Sequence, residues 1–247
     1  MQIMQNAMSI LDKPVIKHNP IILRSMEQGS LEWIMARLGR VTASNMHKLL
    51  TGGEGKTRDS YLLEIASEII SGVPSEKINT WDMVRGNTLE PYAIQAYEVM
   101  TGLEVERVGL IYLNKDKRIA ASPDGLTSRG GVEVKCPNPK NHMRTIIEGK
   151  NPKKHAAQLQ TNLWVSGAET WDYVSFCPEF KQCPIFIIPA QRDEVMIDRI
   201  RTASEEAVYK IDEYVKMATG EPVDARLSKI LREANEIAEA LKEPNIF

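Results

Sequence analysis

Between residues 104 and 137 the chain runs through EVERVGLIYL, RIAASPD and GVEVKCP, three short β-branched runs separated by turn residues. Such runs are too short for helices and read as consecutive strands of one sheet. Helical spacing brackets them on both sides. SLEWIMARLGR (30–40) places Leu31, Ile34, Met35 and Leu38 on one face, with Ser30 as cap and Gly39 as stop. A second helix starts in VTASNMHKLL, capped by Thr42 or Ser44, and a glycine-rich loop, TGGEGKTRD (51–59), leads into a third that stops at Gly72. NTLEPYAIQAYEVM predicts another, ended by Gly102, with Pro91 in its first turn where its missing N–H is tolerated. After the strands come the helix HAAQLQTNLWVSG, two strands in WDYVSFC and PIFIIPA, and a helical C-terminal third. Helices around a strand cluster predict one α/β domain over residues 1–247 with a mixed central sheet flanked by helices. Residues 1–20 read as an irregular lead-in, and about 223–243 as an extra C-terminal helix.

Composition narrows the class. With 43% apolar and 26% charged residues the chain is that of an ordinary globular protein. A net charge of −2 argues against passive coating of nucleic acid, so a binder must concentrate its basic residues locally. Three cysteines, Cys136, Cys177 and Cys183, make neither a disulfide framework nor a four-thiolate cluster, and an odd count favours a reducing compartment. MQIMQNAMSILDKP lacks the basic start and apolar core of a signal peptide, and no apolar run reaches the roughly 18 residues of a membrane span. The expectation is a cytoplasmic protein without membrane attachment.

One group of residues carries chemistry. Side chains alternate along a strand, so in GVEVK the pair Glu133 and Lys135 points opposite to Val132 and Val134. Burying an acid and a base together is costly unless they are paired or used. Asp124 precedes them in a Ser-Pro-Asp-Gly turn. Two carboxylates on adjacent strands suit a hard divalent ion such as magnesium, and a lysine on the same face suits a water or phosphate. A solvent-facing Glu–Lys pair explains the same spacing without function. Glu90 lies just after Arg85-Gly86-Asn87 and offers a third carboxylate. Arg37 and Arg40 precede Thr42 and Ser44 beside a helix start, a combination that suits a phosphate and equally suits ordinary capping. Gln158 and Gln160 straddle Leu159, so only one of them faces the site. GGEGKT (52–57) fails as a phosphate loop, because Leu50 stands where the first glycine belongs and no strand precedes it.

Taken in order, EQGSLEWIMARLGRVTAS, RGNTLEPYA, SPDG, GVEVKCP and HAAQLQ resemble the phage lambda exonuclease, or YqaJ-like viral recombinase, family of the PD-(D/E)XK nuclease superfamily. The match spans about residues 25 to 215. The resemblance implies a single nuclease domain with a restriction-endonuclease-like core. It implies a magnesium-dependent exonuclease, with two ions and manganese able to substitute, that degrades one strand of linear duplex DNA 5′→3′ to 5′-mononucleotides. The 3′ single strand is left for a strand-annealing partner protein. Asp124 and Glu133, with the Val134 carbonyl, would hold metal; Glu90 would be the helix carboxylate beside them; and Lys135 would orient the attacking water. Arg37, Thr42, Ser44, Ser122 and Gln158 would lie near the terminal 5′-phosphate, and Met83 would help to separate the strands. The family further implies a ring-shaped homotrimer around DNA and a phage or prophage gene product acting in a bacterial cytoplasm. Two other readings remain: a structure-specific or restriction-type endonuclease on the same core, and a catalytically idle DNA-binding protein.

Overall fold

The computed structural model describes residues 18–51, 56–75, 81–230 and 232, with backbone only at 81–83. In chain order the elements are β1 (Ile21–Leu23), α1 (Leu31–Arg37), β2 (Val41–Thr42), a 3-10 turn (Ala43–Asn45), α2 (Met46–Leu50), α3 (Lys56–Ser71), α4 (Trp81–Thr101), β3 (Leu110–Tyr112), β4 (Ile119–Ala121), β5 (Gly125–Thr127), β6 (Gly130–Lys135), α5 (Pro139–Glu148), α6 (Lys153–Ser166), β7 (Thr170–Phe176), β8 (Ile185–Gln191) and α7 (Glu194–Thr219). The strands form two four-stranded sheets, ordered β1-β3-β4-β2 and β5-β6-β7-β8. Each is mixed, with β2 parallel to β4 and β6 parallel to β7. The α/β class is the expected one, but the strands do not share one sheet. The break falls at Ser122-Pro123-Asp124, where proline has no N–H to continue a ladder.

The second sheet positions the site. Val132 and Val134 bury one face of β6 against Ala93, Ile94 and Tyr97 of α4. The opposite face lies under α6, where Leu159 and Leu163 pack on Trp171 and Tyr173. Glu133 and Lys135 therefore emerge toward α6. Close pairing of β6 with β7 requires glycine at 131, because a Cβ there would sit 2.3 Å from the Trp171 ring.

Three helix starts differ from the pattern reading. Neither Thr42 nor Ser44 caps a helix by its side chain; Val41–Thr42 is instead a strand, and the Thr42 N–H donates to the Tyr61 hydroxyl at 3.2 Å. α4 begins near Trp81, so Pro91 and Glu90 lie in mid-helix rather than in a first turn. Burial of Ala93, Ile94 and Tyr97 on β6 outweighs the local cost of the proline. α5 carries no apolar run long enough to stand out, yet its ends are well marked. Asn138 accepts from the Asn141 N–H at 3.0 Å, Pro139 opens the helix, and Gly149 closes it at φ 59°.

Residues 223–230 are helical, and Val223, Leu227 and Ile230 are buried. Arg226 donates to the Ile70 carbonyl at 2.6 Å and so closes the end of α3. That part of the C-terminal helix is packing. Its remainder, the lead-in before residue 18 and the glycines of 52–55 lie outside the described residues.

Candidate active site

Asp124, Val134, Lys135, Glu90 and Gln158 line a cleft of about 1300 Å³ where β6 ends between α4 and α6. The Asp124 carboxylate accepts the Val134 N–H at 2.6 Å, extending the β5–β6 ladder with a side chain. Glu133 is 1% exposed and accepts three hydrogen bonds. One of its oxygens accepts from Lys135 Nζ and from Gln158 Nε2, both at 2.5 Å, and the other accepts from Asn162 Nδ2 at 2.9 Å. Gln158 and Asn162 are four residues apart on α6, so one helix face presents both amides to one carboxylate. Gln160 turns away, bonding the Gln191 carbonyl and the Asp193 N–H.

The electrostatics are those of a crowded acidic centre. Burial, then the charge of Glu133 and to a lesser degree of Glu90, pushes the Asp124 carboxyl well above the usual carboxylate range. Burial alone would pull the Lys135 ammonium down, but Glu133 and Asp124 outweigh it and hold it charged. Burial, then Glu90 and Asp124, raises the Cys136 thiol to about 12, which keeps it protonated and inert. Glu90 itself pairs with Arg107 at 2.6 Å.

Magnesium fits this donor set. Among the described residues no three His, Cys, Asp or Glu groups form a cluster able to hold an ion. Two carboxylates supplemented by backbone and water oxygens suit magnesium rather than zinc. Asp124 and Glu133 keep lone pairs beyond the four bonds described. Asp124, Glu133 and the Val134 carbonyl are the groups that would hold it.

A second corner of the cleft is basic and short of an anion. Arg37 donates to Ser122 Oγ at 2.6 Å and lies 4.3 Å over the Trp33 ring. Trp33 Nε1 bonds the Gly109 carbonyl at 2.9 Å and Ser122 Oγ at 3.2 Å. Among the described residues no carboxylate pairs with Arg37, and burial lowers its guanidinium to about 10. A desolvated cation of this kind is suited to an incoming anion. Ser44 also lines the cleft.

Thr42 does not join them. It is 4% exposed and behind the cleft surface, its hydroxyl accepting from Asn45 Nδ2 at 3.1 Å and lying 3.4 Å from the Ser44 hydroxyl. Arg40 is likewise buried, donating to the Leu38 carbonyl. Gln158, the other expected phosphate neighbour, donates to Glu133 and lines the same cleft as Arg37. The side chain of Met83 lies outside the described residues.

Several residues of the cleft carry no sequence signal of their own. His155 enters the cleft through the fold of α6, which also brings the buried Asn162 to Glu133, and Gln28 bonds the Val108 and Pro123 carbonyls at 2.9 and 2.7 Å, steadying the turn before Asp124. Arg85 reaches the Cys136 and Pro137 carbonyls at 3.3 and 3.4 Å and forks onto Glu179 at 2.6 and 2.7 Å, fixing the exit of β6. Arg144 of α5, Lys150 of the loop that follows it, and Lys153 and Lys154 of α6 form a basic wall of the cleft. The run of Asn138-Pro139 to Gly149, read as helix ends, is the signal that could have placed that wall.

Comparison with known proteins places this geometry. The model of the YqaJ-like viral recombinase domain matches residues 32–169. None of the curated proteins compared matches the sequence. LHK-Exo, an alkaline exonuclease from Laribacter hongkongensis, superposes with a TM-score of 0.66 at 31% identity, covering 84% of this chain and 100% of the other. Its complex with dAMP gives 0.67 at 30% identity over the same shares. A phage-related exonuclease from Haemophilus somnus 129PT shares the fold at 20% identity, with a TM-score of 0.54 and coverage of 73% and 96%. The centre on β6, the helix carboxylate and the mixed α/β core thus sit on a PD-(D/E)XK-type fold, and the chain belongs to the YqaJ-like viral recombinase domain family.

Proposed function

We propose that the protein is a magnesium-dependent exonuclease that degrades one strand of linear double-stranded DNA in the 5′→3′ direction. Each cycle would release a 5′-mononucleotide and leave a 3′ single strand for a strand-annealing partner. The observation that carries this reading is the presence of two unlike corners in one cleft. Arg37, desolvated and without a carboxylate partner among the described residues, faces Ser122 at one, and Asp124, Glu133 and Lys135 converge at the other. An enzyme reading a phosphorylated terminus needs both, whereas one cutting internally needs only the second.

Within the cleft each residue has a task. Arg37 and Ser122, with Ser44 beside them, would grip the terminal 5′-phosphate. Lys135 stays charged and can donate a hydrogen bond to the attacking water or to the scissile phosphate. Gln158 and Asn162 hold the Glu133 carboxylate in one orientation. Bound magnesium would supply a lowered pKa for water and charge neutralisation at the phosphoryl group. Glu90 adds negative charge beside Asp124, restrained by Arg107. The scissile P–O bond breaks on the 3′-oxygen of the terminal nucleotide, which leaves with a proton, while the water oxygen joins the new 5′-phosphate.

The basic wall of Arg144, Lys150, Lys153 and Lys154 supports a backbone track in a chain whose net charge is −2. With it goes the expectation of a ring-shaped homotrimer that gathers such walls around the duplex. A phage-encoded protein acting in the bacterial cytoplasm fits this reading, and no helix among the described residues is long and apolar enough to cross a membrane. The test of the end-reading corner is Arg37→Ala assayed on duplexes with 5′-phosphate or 5′-hydroxyl ends. The variant should lose about 10- to 100-fold on phosphorylated ends and little on hydroxyl ends. An unchanged preference between the two ends would remove Arg37 from the proposed role.

A further inference from the structure

His155 occupies the first turn of α6, half-buried on the cleft wall. Its ring stacks on Tyr173 with centroids 5.7 Å apart and 30° between planes. Tyr173 is 1% exposed and pairs with Glu133 across β6 and β7, so the platform behind the imidazole is fixed to the same strand pair as the acidic centre. Neither ring nitrogen of His155 has a hydrogen-bond partner among the described residues. The ring has packed protein behind it and the cleft in front.

Its neighbours locate it along the cleft. His155 feels the charges of Lys135, Lys154 and His47. Lys135 belongs to the acidic centre, while His47 bonds the Ser44 carbonyl at 3.2 Å, on the side of the basic corner. Burial and those charges keep the imidazole neutral, so what it offers a ligand is a ring face rather than a cation.

A terminal nucleotide spanning the two corners would lay its sugar and base between them. On this basis we infer that His155, backed by Tyr173, is a stacking platform for the base of the nucleotide being released. The inference rests on the exonuclease reading for the position of the nucleotide, and names what that reading leaves open: how the enzyme holds a base of any identity. Every base has a π face, so stacking supplies binding without sequence preference.

The test is equilibrium binding of dAMP and of 2-deoxyribose 5-phosphate to the full chain in magnesium buffer, by calorimetry. The wild type should prefer dAMP about tenfold, the contribution of one stacked base. His155→Ala should abolish the preference by weakening dAMP alone, and His155→Phe, which keeps a ring and removes both nitrogens, should retain it. The inference is overturned if the alanine variant keeps the preference, if both ligands weaken equally, if phenylalanine behaves as alanine, or if dAMP fails to bind the wild type. Binding is read without turnover. A protein that releases nucleotides from duplex DNA yet shows no base preference contradicts the platform alone. One that shows the preference but releases none contradicts the exonuclease reading alone.

Discussion

Glu133 and Lys135 illustrate what a strand pattern can and cannot reveal about a single residue. Alternation in GVEVK puts the two on one face, and the structure joins them at 2.5 Å. The same pattern says nothing of Gln158 and Asn162, which reach Glu133 from 25 and 29 residues away because α6 crosses that face of the sheet. Asn162 even leaves its own oxygen buried without a partner among the described residues, a cost of roughly 1–3 kcal/mol in exchange for its bond to Glu133. If Lys135 orients water or phosphate, Lys135→Ala should lower turnover by about 10²–10⁴-fold while magnesium still protects the fold against heat. Turnover within a few-fold of wild type would contradict that role. His155 gives a pH signature. Its imidazole titrates at about 3 when folded against 6.5 when free. Below pH 6.5 the unfolded chain therefore takes up a proton that the folded protein refuses, and stability falls as pH drops from about 6.5 toward 3. His155→Phe should flatten that limb of a melting-temperature profile relative to wild type. Parallel profiles would show that His155 is not held neutral.

Elements were legible where their own residues carry the signal. The helix in 30–40 has its cap and stop in sequence, and Ser30 does cap it; Asp193 caps α7 as well, a cap the sequence reading does not name. The strands from 110 to 135 were visible as β-branched runs between turns. α4 was misjudged at its start because Pro91 looks like a boundary, whereas tertiary burial of Ala93 and Tyr97 carries the helix through it. Glu90 thereby moves to mid-helix, where it lines the cleft and meets Arg107. The register of β6 on β7 depends on Gly131 beside Trp171. Gly131→Ala should cost about 1–3 kcal/mol in urea unfolding, since the indole is too well packed to retreat. A change below half of that would mean the strand pair adapts more freely than its packing implies.

At the scale of the whole molecule, composition excluded more than it identified. A net charge of −2 masks a basic wall that exists only after α5 and α6 fold together. The division into two sheets was equally hidden, because Pro123 interrupts pairing between strands that look continuous in the sequence. Family membership connects these features to proteins described as exonucleases, and the two-cornered cleft gives the proposal its direction. The most direct test is release of label from a linear duplex marked at the 5′ or the 3′ end, with magnesium or with EDTA. The account predicts magnesium-dependent loss of the 5′ label as mononucleotide, faster from phosphorylated ends, with closed circular duplex left intact. Loss of the 3′ label first, or cutting of the closed circle, would contradict it.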